Sequence, residues 1–148
     1  MARASYIEHL PFREGSFDLF ICSETLEHLK DVGRGLTELV RALKTGGEGV
    51  ISMPNRLSLY YIFQRLVPLV TPVSRNPHLR FDFVGIRKMI SDAKLKIIAT
   101  KSTMIIPVIP TLRFYETVVK TMTIIERGLN RTPLRNLGAS YILKVRKP

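Results

Sequence analysis

A chain of 148 residues with 45% hydrophobic and 24% charged content is sized for one domain, 1–148, with a core of its own, which excludes a disordered segment. One cysteine, Cys22, excludes an intramolecular disulfide framework, and MARASYIEH carries no apolar signal-peptide core, so we expect a cytoplasmic protein. Charge is uneven within the net +11: residues 1–55 hold six Lys/Arg against eight Asp/Glu (−2), residues 56–148 hold 17 against four (+13). The basic part can draw the protein to phosphates or to the periphery of an anionic membrane. Without interleaved aromatics that stack bases, we expect no nucleic-acid partner.

Phe17–Cys22 has a strand's length and is apolar on both faces, as a central parallel strand is. Asp31 is the predicted N-cap of a helix whose Leu36, Leu39, Val40 and Leu43 share one face. Arg34–Glu38 is an i,i+4 pair on the other side, and Gly46–Gly47 is the predicted helix stop. Gly49–Met53 is the next strand, closed by Pro54–Asn55.

The apolar stretch Leu57–Val70, interrupted at Pro68 and followed by Pro72, is too short and broken to span a bilayer and is read as a helix covering the sheet. Asp82 caps a further helix with Ile86, Met89, Ile90 and Ala93 inward, and Lys94–Thr100 follows as a strand. MIIPVIP at 104–110 breaks regular structure. An amphipathic helix over 111–126 turns Leu112, Tyr115, Val119, Met122 and Ile125 inward and pairs Glu116 with Lys120 outside. Ser140–Lys147 alternates Tyr141, Leu143 and Val145 against Lys144 and Arg146, the pattern of a half-buried edge strand. The alternation of strands and helices implies an open α/β sheet, in which ligands sit beyond the carboxyl ends of the strands. Two such ends are visible: Ser23-Glu24 with Glu27-His28, and Pro54-Asn55-Arg56.

The run LPFREGSFDLFICSETLEHLKDVGRGLTELVRALKTGGEGVISMPN, residues 10–55, resembles the middle of a class I S-adenosylmethionine-dependent methyltransferase. NPHLRF and the closing LGASYILKVRKP are similar to that family's last two strands. The resemblance implies a Rossmann-like open sheet with helices on both faces and an antiparallel last strand, with 56–76 and 104–136 as variable cap or substrate segments. It implies methyl transfer from S-adenosylmethionine to a small-molecule or lipid-like acceptor. Ile7 would pack on the adenine, with Tyr6 where the family has an acidic residue. Ser23 and Glu24 would run beside the methionine part of the cofactor. His28 matches a residue near the reaction centre, and Asn55, Arg56, Tyr60 and Tyr61 would face the acceptor, with His78 at its rim. An oxygen acceptor needs a base, and either His28 or His78 can serve. Glu24, Glu27 and His28, completed by His78, also resemble the divalent-metal site of some relatives.

The family's Gly-rich turn has no counterpart, since the GxGxxG spacing occurs nowhere. The sequence therefore reads as a fold incomplete at its N-terminus. Three readings stay open: part of a longer enzyme, one subunit of a split enzyme whose second chain supplies the cofactor loop, or a noncatalytic remnant. The remnant would act as a partner, membrane-surface or nucleic-acid binding module.

Overall fold

The computed structural model describes residues 6–55, 57–58, 81–103, 115–129 and 131–148. They form four strands and three α-helices: β1 (Phe17–Ser23), α1 (Val32–Ala42), β2 (Leu43–Pro54), α2 (Phe83–Asp92), β3 (Lys96–Thr103), α3 (Tyr115–Leu129) and β4 (Ser140–Arg146). The sheet order is β1-β2-β4-β3. The β1–β2 pair is parallel, whereas β4 runs antiparallel to both of its neighbours.

Both predicted caps form. The Asp31 carboxylate accepts from the Arg34 N–H at 2.9 Å, and that of Asp82 from the Gly85 N–H at 2.7 Å. Each cap satisfies a donor that the first helical turn leaves open. Leu36 and Leu39 of α1 and Ile86 and Ile90 of α2 then bury against Cys22, Ile51, Met53, Tyr141, Leu143 and Val145. Both helices thus cover the same face of the sheet, and the core lies between.

Several expectations change. The helix stop is not glycine-made: α1 ends at Ala42 and Leu43 is already extended. Gly46 instead takes φ 77° inside β2, where the register passes from Phe17↔Leu43 to Leu19↔Glu48 and the surplus residues bulge out. The bulge is pinned by Gly46 N–H donating to the Lys147 carbonyl and Lys147 N–H to that of Gly47. Strand β4 is not an edge strand but lies between β2 and β3. Its alternation survives because one face meets the helices and the other does not: Tyr141, Leu143 and Val145 are buried, Lys144 and Arg146 exposed. β1, expected in the centre, is an edge of the described sheet, with Leu19 52% and Ile21 72% exposed. β3 starts at Lys96 because Lys94 takes φ 59° in the turn leaving α2.

Glu38 also finds a different partner. Arg41 Nε donates to Glu38 Oε1 at 2.8 Å, while Arg34 meets His9 Nδ1 at 3.2 Å. The Glu38–Arg41 pair reaches across to the LPF segment: Leu10 N–H donates to Glu38, and Arg41 donates to the carbonyls of Phe12 and Leu10. In α3, Ile125 is 42% exposed rather than inward. Residues 59–70 of the helix predicted over 57–70, the MIIPVIP break, Leu112 and the side chains of Tyr115, Glu116, Val119 and Met122 lie outside the described residues.

Candidate functional site

Because β1 and β2 are parallel and in register, Ser23 and Ser52 arrive side by side at their carboxyl ends. Their hydroxyl oxygens are 3.0 Å apart. Ser52 Oγ donates to Glu24 Oε1 at 3.1 Å, so the proton between the two hydroxyls belongs to Ser23. The result is a relay from Ser23 through Ser52 to a carboxylate. Glu24 N–H is held by the Ser52 carbonyl and hydroxyl, each at 3.1 Å. These bonds hold Glu24 at φ 45°, a left-handed conformation that costs a non-glycine residue on the order of 1 kcal/mol. Ser52 stands outside the residues that the sequence motifs mark. Its signal was a lone hydroxyl at the end of an apolar strand, in register with Ser23.

Beyond Glu24 the chain makes one 3-10 turn, Leu26–His28. Leu26 is fully buried and anchors the turn, which draws Glu27 inward to 5% exposure. Burial is the main reason the Glu27 carboxyl is pushed above the usual carboxylate range, and the nearby Glu24 adds to it. Among the described residues, Glu27 Oε2 is buried without a hydrogen-bond partner. His28 has its side chain half exposed and its Nε2 3.9 Å from Glu27 Oε1. The Cys22 thiol, one residue before Ser23, is pushed up by burial and is a core group rather than a nucleophile.

The other predicted residues scatter. Ile7 is half-buried, packed against the core near Gly35 at the start of α1. Asn55 follows β2 and is fully buried, but its amide is engaged within the fold. Its Nδ2 donates to the Asn136 and Gly138 carbonyls at 2.8 Å each, and its Oδ1 accepts from Leu57 N–H at 2.9 Å. Arg56, Tyr60, Tyr61 and His78 lie outside the described residues. No group of three or more His, Cys, Asp or Glu with metal-holding geometry occurs among the described residues.

An open α/β sheet with a polar cluster beyond two parallel strand ends defines a ligand-binding fold of the Rossmann-like class. Residues 2–51 match the family model for a methyltransferase domain. The chain is 35% identical over 79 residues to malonyl-[acyl-carrier protein] O-methyltransferase of Erwinia billingiae, covering 53% of this chain and 32% of that protein. It is 31% identical over 86 residues to ubiquinone biosynthesis O-methyltransferase of Rickettsia conorii, covering 55% and 30%. An S-adenosylmethionine-dependent methyltransferase structure from Thermotoga maritima superposes with a TM-score of 0.65 at 18% identity, covering 97% of this chain and 62% of that one. The chain thus resembles the class I S-adenosylmethionine-dependent methyltransferases and shares their fold. The matches span about a third of the length of these curated relatives. Among the described residues, no helix is long and apolar enough to cross a membrane.

Proposed function

We propose that the chain is part of an S-adenosylmethionine-dependent methyltransferase acting on a small-molecule or lipid-like acceptor, working with a complementary portion that carries the Gly-rich turn. The observation that carries this reading is the Ser23–Ser52–Glu24 relay at the ends of two parallel strands, with Ser23 and Glu24 inside the segment matched by the methyltransferase model and Ser52 directly after it. The residues present fit one side of such a cofactor. Two hydroxyls and a carboxylate converge at the strand ends, on the side this reading gives to the methionine part, and among the described residues a buried carboxyl oxygen of the following turn has no hydrogen-bond partner.

When bound, S-adenosylmethionine supplies a methyl group on a sulfonium, and the protein's task is alignment and exclusion of water. In this reading Glu24, held by Ser52, receives the cationic methionine part, and Ile7 packs toward the adenine. Half-exposed His28 takes the proton that an oxygen acceptor releases; His78 is the second candidate. Asn55 acts by tying the end of β2 to the backbone before β4, and Arg56, Tyr60 and Tyr61 are the residues this reading assigns to the acceptor. The apolar segments 57–70 and 104–125 favour a hydrophobic acceptor.

The test is calorimetry with S-adenosylmethionine. Residues 1–148 alone should bind little. A chimera that places the part of the Erwinia billingiae relative ahead of its matched segment before Met1 should bind, and Glu24→Gln should weaken it at least tenfold. A folded chimera that binds no S-adenosylmethionine overturns the proposal.

A further inference from the structure

Several cations of the fold are neutralised where they stand. Lys144 and Arg146 on β4 both meet Glu48, at 2.6 and 2.7 Å, Lys44 meets Asp18 and Arg41 meets Glu38. The α2–β3 unit differs. Residues 83–103 carry Arg87, Lys88, Lys94, Lys96 and Lys101 against Asp92 alone. Among the described residues none of these five is joined to a carboxylate. Arg87, Lys88 and Lys96 line an open groove of about 650 Å³ between α2 and β3, and no carboxylate stands in its lining. Asp92 lies in a different recess, which it shares with Gly33 and Leu36 of α1. The apolar floor of the groove is largely closed, since Ile90 and Leu95 are buried, but Val84 is 77% exposed beside the cations. The Phe83 ring is engaged on two sides, by the Arg87 guanidinium 5.5 Å from its centre and by Tyr141 at 5.4 Å.

We propose that this groove docks the chain on an anionic phospholipid surface, with headgroup phosphates between Arg87, Lys88 and Lys96 and Val84 entering the boundary between headgroups and acyl chains. The inference stands apart from methyl transfer and does not need it. Charge complementarity chooses the occupant: three cations with no carboxylate beside them draw phosphate, and the attraction acts within about a Debye length of the surface. Lysine stems lie along apolar surface while their ammonium groups stay at phosphate level, so Lys88 and Lys96 suit that boundary. A nucleic acid finds no free ring on which to stack a base, because Phe83 is already covered. A protein interface is built around a buried apolar core, whereas Val84 is a lone exposed aliphatic among charges.

Vesicle sedimentation of residues 1–148 tests this. The chain should bind phosphatidylglycerol vesicles at low salt, release them at high salt, and leave phosphatidylcholine vesicles alone. Replacing Arg87, Lys88 and Lys96 together by Gln should weaken binding about 100-fold, roughly fivefold for each charge. Lys144→Gln with Arg146→Gln removes two cations already held by Glu48 and should change it far less. Val84→Ser keeps every charge and should still weaken binding several-fold. An environment-sensitive dye on Val84→Cys should shift to the blue on the anionic vesicles, while the same dye on Leu19→Cys, at the other edge of the sheet, should not; native Cys22 is buried. Undiminished binding by the triple variant, with a melt like that of the wild type, overturns the proposal. So does a dye shift at 19 without one at 84. A dye at 84 that responds to polyglutamate and not to vesicles overturns it in favour of an acidic protein partner. Single-stranded RNA held more tightly than the vesicles, and unaffected by Val84→Ser, overturns it in favour of a nucleic acid.

Discussion

Single residues here do their largest work across long sequence separations. Glu38 and Arg41 sit one turn apart on α1, yet between them they hold the backbone of Leu10 and Phe12, the segment leading into β1. Hydrogen bonds from Arg41 are the main reason the Glu38 carboxyl is held down at about 2 instead of 4.5. A carboxyl depressed on folding stabilises the protein fully above its unfolded value and loses that contribution as pH falls through its folded one. Glu38→Gln is therefore expected to lower the Tm at pH 7 by about 2–5 °C. The gap to the wild type should close as pH falls from 4.5 toward about 2, as followed by thermal melts. A gap that stays constant to pH 2 would remove the ionic part of the explanation. The sequence suggested Arg34 as the partner because i,i+4 spacing is the general rule. It carries no sign that residues 10–12 fold back over α1 and draw Arg41 to that side.

Elements were legible where a local pattern decides them. Asp31 and Asp82 announce helix starts, and the alternation of Tyr141, Leu143 and Val145 announces a strand with one buried face. What the pattern does not hold is the neighbour of each strand. Alternation looks the same in an edge strand as in a central one with a single covered face, so β4 reads as an edge until its pairing with both β2 and β3 is seen. Likewise Gly46 signals a positive φ without saying whether a helix end or a bulge uses it. Asn55 belongs to the same class: its position after a strand suggests a ligand contact, whereas its amide closes the junction between β2 and β4. Gly138 makes that closure possible. A Cβ there would lie 2.6 Å from the Ser102 side chain and 2.8 Å from the Thr103 carbonyl, and a backbone carbonyl cannot step aside as a flexible side chain can. Gly138→Ala is expected to cost about 2–3 kcal/mol in urea unfolding by parting the β3–β4 end and loosening Asn55. A change below about 0.5 kcal/mol would mean that the strand ends are less tightly joined than their hydrogen bonds indicate.

At the scale of the whole molecule, stability is graded across the sheet rather than uniform. β2 and β4 each pair on both sides, and the fully buried Ile51, Leu143 and Val145 lie there; among the described residues β1 pairs on one side only and leaves Leu19 and Ile21 exposed. Local opening follows buried contacts and paired backbone, so the strand that carries Ser23 to the site is the one with the least support. Hydrogen exchange followed by mass spectrometry should show β2 and β4 as the slowest segments, with amides such as Ile51 and Leu143 exchanging at least ~100-fold more slowly than those of Leu19 and Ile21. β3, though also an edge, should fall between them, because α2 packs on it and Ser102 is buried at its end. Equal protection in β1 and β4 would contradict this gradient. The gradient also bears on the cluster at the strand ends. Ser52 stands on the well-held strand and Ser23 and Glu24 on the loosely held side, so the relay crosses the boundary between them. Any support given to β1 from outside then steadies the half of the cluster that the chain's own contacts hold least.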